Sequence, residues 1–279
     1  MMLNRPDRLN ALSAETLREI VTACRWLDET TVIKAVVVRG AGRAFSAGFD
    51  LDDFRSLDAD ASPRDNADLG RLAAEALTDV RPLTVAAIHG HCVGGGLVLA
   101  AACDLRLASE TVRFSIPEVD LGIPLAWGGI PRLVRELGPA VTKELVLTCR
   151  PFDADEAKAL RFLNRVVPDD RLFDEADALA AELASKPTFA LRATKQHVNA
   201  VTEDLAATPT TPTRSPPPSP TPSPARSAAR TSNPNVDDRT GTADQPTSVA
   251  RRSSNVSRLT TNRASPSFTN TTGGLVIRL

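Results

Sequence analysis

Thr84-Val85-Ala86-Ala87-Ile88, then His89, then Gly90-His91-Cys92-Val93-Gly94-Gly95-Gly96, lead into the apolar run Leu97–Cys103. The first five residues are short and apolar enough for a strand buried on both faces. The last segment continues as a helix, so the glycines stand at a strand-to-helix turn. Glycine there lets backbone N–H groups approach a ligand closely, and the start of a helix favours negative charge. Packing glycines between strand and helix are the bland reading. A dinucleotide fingerprint fails on spacing, because GxxxGGG is not GxGxxG and the loop lies mid-chain.

Working outward, alternating helices and strands continue over residues 1–205. Ser13 caps a helix through Thr30, with Leu17, Ile20, Val21, Cys24 and Leu27 at helical spacing on one face. Ala35-Val36-Val37-Val38 is a second buried strand. The polar segment Ser56–Asn66 reads as a mobile loop, Leu69–Val80 as a helix and Leu105–Ala108 as a strand. From Ile130 helices dominate, broken by the strand-like Asn164-Arg165-Val166-Val167 and ending in the helix Phe189–Leu205. No internal repeat is evident.

Two further segments carry chemistry. Gly42-Arg43-Ala44-Phe45-Ser46-Ala47-Gly48-Phe49-Asp50-Leu51 is again a small-residue turn after a buried strand. In Ile116-Pro117-Glu118-Val119-Asp120-Leu121-Gly122-Ile123-Pro124, the carboxylate of Glu118 sits among apolar and turn residues. Burial would raise its pKa toward usefulness as a general base. Two backbone N–H sites and one carboxylate suffice to form and stabilise an enolate. Four separated cysteines, with no metal-ligand spacing, fit reduced thiols rather than a disulfide framework or a zinc site. His89 and His91 read as loop structure, Cys92 and Cys103 as small core residues, and Asp104 as a local cap or pair. Trp127 belongs to the core or to a substrate pocket.

Leu3-Asn4-Arg5-Pro6-Asp7-Arg8-Leu9-Asn10-Ala11-Leu12, AFSAGFDL, GHCVGGG, ACDLRLAS and FSIPEVDLGIP stand in one order over residues 3–204. In that order and spacing the chain resembles the crotonase, or enoyl-CoA hydratase/isomerase, superfamily. The resemblance implies an α/β spiral of ββα units that binds acyl-CoA and stabilises an enolate with two main-chain donors, here Ala47 and Gly95. It places Ala47, Gly48, Phe49 and Asp50 along the thioester and pantetheine channel, Gly94 and Gly95 at the substrate, and Arg8 near the CoA phosphates. It makes Glu118 the acid/base. It implies no metal or separate cofactor, since CoA is part of the substrate, and a homotrimer or hexamer.

The departures sharpen the expected reaction. Hydratases of the family use a second glutamate two residues past the triple glycine, where this chain has Val98. Hydration needs one carboxylate to activate water and one to manage the proton at C2; double-bond isomerisation needs a single proton shuttle. The chain therefore reads as isomerase-like. The alternatives are an impaired acyl-CoA-binding or assembly protein, or a hydratase using another carboxylate such as Asp120. Dienoyl-CoA isomerases carry an Asp where Ala126 stands. Family members normally have a strand before the LNRP motif and further helices after the segment matching Phe189–Leu205, where this chain has a Pro-rich segment, so a weakened trimer is expected.

Residues 206–279 differ in kind. Pro, Ser and Thr fill 36 of these 74 positions, with nine Arg, three Asp and neither Lys nor Glu. Such a composition offers little apolar surface to offset ordering entropy, so it reads as a disordered tail outside the catalytic domain of residues 1–205. A Pro-rich ligand for SH3-type domains, a basic nucleic-acid arm, and translation out of frame are the other origins. The formal charge of −1 argues against an obligate nucleic-acid binder. The lack of a long apolar run argues against a membrane span, and the N-terminus has no signal-peptide pattern, so a cytoplasmic protein is expected.

Overall fold

A strand buried on both faces needs a neighbour on each edge and a layer of side chains on each face. The computed structural model, which describes residues 1–50, 52, 63–206, 267–271 and 274–279, supplies both. In chain order the elements are β1 (Met2–Leu3), α1 (Ala14–Glu29), β2 (Ala35–Gly40), α2 (Pro63–Asp79), β3 (Leu83–Ile88) and β4 (His91–Val93). Next come α3 (Gly95–Ala102), β5 (Leu105–Ser109), β6 (Arg113–Ser115), α4 (Gly129–Leu137), α5 (Pro139–Thr148), β7 (Phe152–Asp153) and α6 (Ala154–Ala159). The last are β8 (Arg165–Val167), α7 (Leu172–Ser185), α8 (Thr188–Ala206), β9 (Ser267–Thr271) and β10 (Gly274–Arg278).

The larger sheet runs β8-β5-β3-β2-β1-β10-β9. All its pairings are parallel except β10 with β9. Val37 pairs with Val85, and Val85 with Leu105. Thr84 through Ile88 are buried, as the sequence predicts for a central strand. On one face Val85, Ala87 and Leu107 meet Leu172, Ala176 and Leu179 of α7. On the other, Val36, Val38, Ala86 and Ile88 join a core with Leu17, Ile20, Cys24 and Leu27 of α1.

The spiral is visible in how the chain leaves this sheet. After β3 it enters β4 and then α3; after β5 it enters β6 and then α4. After β2 it passes Ser46, which bridges Cys92 of β4, and Cys92 pairs in turn with Phe114 of β6. Each turn is thus a strand in the large sheet, an extended segment in the small one, and a helix. The sequence shows no repeat because each turn packs different neighbours and so carries different side chains.

Local signals explain the helix ends. Ser13 is extended (φ −75°, ψ 164°) and its hydroxyl accepts from the Thr16 amide at 3.2 Å, capping α1. All eight residues of α3 are buried, as befits a helix apolar on every side. It starts two residues before the sequence suggests, because Gly95 and Gly96 form its first turn. Asp104 pairs across the fold rather than as a local cap: its Oδ2 accepts from the Thr84 amide at 2.7 Å and from Lys195 Nζ at 2.8 Å. Lys195 is itself buried and donates to the Pro82 carbonyl, so this pair ties α8 to the sheet.

Of the segment from residue 206 onward, the described residues are Ala206, 267–271 and 274–279, and the last two groups hold β9 and β10. Gly274–Arg278 lies parallel to β1, with Met2 opposite Arg278. The Leu279 amide donates to the Met2 carbonyl, and the Asn4 amide to the Leu279 carbonyl, both at 3.0 Å. The run Leu275-Val276-Ile277 has strand character, and the two-residue β1 offers unpaired backbone at the sheet edge. Residues 207–266, the bulk of the segment, lie outside the described residues, as does most of the Ser56–Asn66 loop. Asn66 itself, with Pro63–Asp65, belongs to α2.

Candidate active site

The first turn after β2 is laid directly onto the glycine-rich turn. The Phe45 amide donates to the His89 carbonyl at 2.9 Å, Ser46 to His91 at 3.1 Å, and Val93 back to Ser46 at 3.0 Å. Gly48 has φ +85°, and a Cβ there would stand 2.7 Å from the Val93 carbonyl oxygen and 3.4 Å from the Gly95 nitrogen. Only glycine satisfies both that backbone angle and that approach. A Cβ on Gly96 would lie 2.7 Å from the Ser46 Cβ.

The LNRPDRLNAL segment holds this junction from below. Asn10 is buried with φ +55°, and its Nδ2 donates to the carbonyls of Ala41 at 2.8 Å and Ala44 at 2.7 Å. Its Oδ1 accepts from the Arg5 amide at 2.9 Å. The Ser46 hydroxyl donates to the Asn10 carbonyl at 2.9 Å and accepts from the Gly48 amide at 3.1 Å. Neither Asn10 nor Ser46 draws a role from sequence pattern. The usable signal was a polar residue between two leucines in a turn, where asparagine tolerates the left-handed region.

This packing corrects one assignment. The Ala47 amide donates to the Leu9 carbonyl at 2.9 Å, so it is spent on the fold and not presented to a ligand. Gly48 and Asp50 straddle Leu12: Leu12 donates to the Gly48 carbonyl and Asp50 to the Leu12 carbonyl. Strand alternation therefore turns the amide of Phe49, between them, away from Leu12. Gly95 is the first residue of α3, where an N–H has no intrahelical acceptor. Its nitrogen faces the Gly48 turn.

Glu118 is brought to the same place by β6. The Gly94 amide donates to the Ser115 carbonyl at 2.9 Å, and three residues on the Glu118 carboxylate lies against Gly94. A Cβ on Gly94 (φ +48°) would collide with Glu118 Oε1. The backbone of Glu118 is fixed by a turn in which the amides of Leu121 and Ile123 donate to its carbonyl at 3.1 and 3.0 Å. Oε2 is buried with no hydrogen-bond partner among the described residues. Burial pushes the Glu118 carboxyl above the ordinary glutamate range.

One turn further along α3, where the Val98 amide donates to the Gly94 carbonyl, the surroundings turn apolar. Val98 is fully buried, and a Cβ on Gly129 would stand 2.8 Å from its Cγ2 and 2.8 Å from Leu125 Cγ. Trp127, with φ +59°, lays its indole against Gly95: a Cβ there would be 2.8 Å from Cη2 and would collide with Cζ3. The ring meets Phe49 edge-on, with centroids 5.8 Å apart. Asp120 is exposed.

The remaining residues singled out from sequence fall as follows. Asp50 is buried between Arg5, 2.8 Å away, and Arg8, 3.3 Å away. Burial alone would raise its pKa, but the hydrogen bonds from Arg5, the Asp52 amide and Arg8 outweigh it and hold the carboxyl below the usual range. Arg8 is half exposed and pairs with Asp52 as well. His89 Nε2 sits 2.9 Å from the Gly42 carbonyl, and its ring meets Phe173 edge-on. Cys92 and Cys103 are buried thiols, the latter pushed up to about 12 chiefly by burial. Among the described residues no group of His, Cys, Asp or Glu is arranged to hold a metal. No helix of the described residues is long and apolar enough to cross a membrane.

An α/β spiral of this kind, with a parallel sheet and helices set around the two stacked turns, is the crotonase fold. The enoyl-CoA hydratase/isomerase family model matches residues 1–213, and the chain belongs to that family. It is 40% identical over 199 residues to a probable enoyl-CoA hydratase, echA8, of Mycobacterium tuberculosis, covering 71% of this chain and 76% of the relative. It is 34% identical over 198 residues to a short-chain-enoyl-CoA hydratase of Clostridium acetobutylicum, with the same coverage. A solved enoyl-CoA hydratase/carnithine racemase of Magnetospirillum magneticum superposes with a TM-score of 0.69 at 36% identity, over 72% of this chain and 76% of that one.

Proposed function

We propose that the chain acts on acyl-CoA thioesters and moves a double bond from C3 to C2, with Glu118 as the proton carrier. The observation that carries this reading is the placing of a half-buried carboxylate at Gly94 and the apolar, fully buried Val98 one helical turn further along α3. The thioester oxygen sits on the Gly95 N–H. The second donor comes from the Gly48–Phe49 peptide region in place of the occupied Ala47 amide. Glu118, ionised, takes a proton from C2; the negative charge passes through the dienolate to C4, and Glu118 returns the proton there. The raised pKa suits both halves, since a carboxyl close to the working pH accepts and donates with similar ease.

Hydration would require a second group to hold and deprotonate water. Val98, Leu125 and Gly129 offer no acceptor on that side. Arg8 serves the charged end of CoA in this reading, with Asp50 fixing its position.

The deciding experiment incubates the purified protein with matched 2-enoyl- and 3-enoyl-CoA in deuterated water. Isomerisation of the 3-enoyl-CoA with the C2 hydrogen largely retained at C4 of the product rather than replaced by deuterium, and hydration slower by at least about tenfold, supports the reading. Hydration as the faster reaction sinks it. Binding without any turnover points instead to an acyl-CoA-binding protein.

A further inference from the structure

Trp127 is a bulky residue laid directly against the candidate donor Gly95, and it is held there at a cost. Its φ of +59° lies in the left-handed region, which disfavours an aromatic residue, and such strain concentrates where side chains are aimed for function. The indole is 8% exposed. It is clasped from three sides: by Gly95 at the start of α3, by the Phe49 ring, and by Gly70 of α2. A Cβ on Gly70 would collide with the indole, so the helix approaches it at the one point where it has no side chain.

We propose that Trp127 is the specificity-determining residue that closes the acyl end of the site and restricts it to short acyl chains. This rests on the acyl-CoA reading above. A thioester with its oxygen on Gly95 and its C2 facing Glu118 leaves the site in two directions. The CoA half is large and charged and must reach solvent. The indole side is buried beneath α2, so it is the closed direction, the one left for the acyl chain. Beyond the first few carbons that chain meets a flat, packed ring backed directly by the α2 backbone at Gly70, which cannot yield as a flexible side chain would.

The test reads binding, so that it does not depend on turnover. In a Trp26→Phe background Trp127 is the sole tryptophan, and its emission reports on contact with the acyl chain. Butyryl-, hexanoyl- and decanoyl-CoA are titrated, with CoA alone as reference. Butyryl-CoA should shift the emission, CoA alone should not, and affinity should fall at least about tenfold from butyryl to decanoyl. In Trp127→Ala, followed by competition with a fluorescent acyl-CoA, the order should flatten or reverse. Trp127→Phe, which keeps an aromatic wall if the alanine variant fails to fold, should fall between. An unchanged chain-length order in the variants, or tighter decanoyl binding by the wild type, overturns the proposal while leaving the acyl-CoA reading intact. No binding of any acyl-CoA overturns both.

Discussion

Beneath the Gly48 turn, Asn10, Ser46, Arg5 and Asp50 form a buried polar clamp in which backbone carbonyls, a hydroxyl and a carboxylate have partners. Further along α3, Val98, Leu125 and Trp127 form an apolar wall, and Glu118, set against Gly94, leaves one carboxylate oxygen without a partner among the described residues. The first region is satisfied and fixes geometry. The second withholds hydrogen bonds and so keeps a titratable group near its switching point. Unpaired burial costs stability, and at this site it falls on the residue whose protonation the proposed chemistry uses.

The sharpest break in this contrast is Glu118→Gln, which keeps the shape and removes the proton carrier. Turnover should fall by about 10²–10⁴, the usual worth of a general acid/base, with acyl-CoA affinity nearly unchanged. A loss below tenfold in steady-state kinetics would mean that another group carries the proton.

Val98→Glu puts an ionisable group into the dry wall. The carboxyl has no partner at a fully buried position, so stability should drop by about 2–4 kcal/mol in denaturant titrations. Hydration of a 2-enoyl-CoA should nevertheless rise above the wild-type rate, because the wall then holds an acceptor for water. A stable variant with no gain in hydration would show that the wall does not border the reacting carbons.

On the polar side, Asn10→Ala removes three hydrogen bonds and leaves an alanine in the left-handed region. A loss of about 3 kcal/mol is expected, measured by thermal unfolding. Activity should fall with it, since the Gly48 turn loses its support.

The smallest effect separates the two regions by pH. Glu118 has its pKa raised in the fold, so the wild type is not penalised below the ordinary glutamate value of 4.5. As pH rises through the higher folded pKa, the ionised form is disfavoured and stability is lost. Relative to the wild type, Glu118→Gln should therefore gain stability as pH rises from about 4.5 through that higher value, then level off. Every tenfold by which folding strengthens the carboxyl's hold on its proton adds about 1.4 kcal/mol to that gain. Parallel stability-versus-pH curves for the two proteins would contradict the burial of Glu118.

Composition and pattern were enough for the strand Thr84–Ile88, the triple-glycine turn and the α1 face, because apolar periodicity and glycine placement are local properties. Glu118 was legible for the same reason: a carboxylate in an apolar turn announces its own environment. The occupation of the Ala47 amide was not, since it depends on where Leu9 falls once the chain has folded back. Asp50 reads in sequence as part of a substrate channel, and only packing shows it clamped between Arg5 and Arg8. The partner of Asp104 lies 91 positions away at Lys195, beyond any spacing rule.

The C-terminal segment marks the limit most clearly. Its composition argues against a packed core, yet Gly274–Arg278 pairs with β1, because a sheet edge can recruit backbone hydrogen bonds from a short stretch of any suitable strand. What the sequence determined by itself was which residues carry chemistry and which faces are apolar. The tertiary structure alone decided which amides are spent and which carboxylate oxygen stays unpaired. It also decided which ring lies against Gly95, since those depend on contacts between residues far apart in the chain.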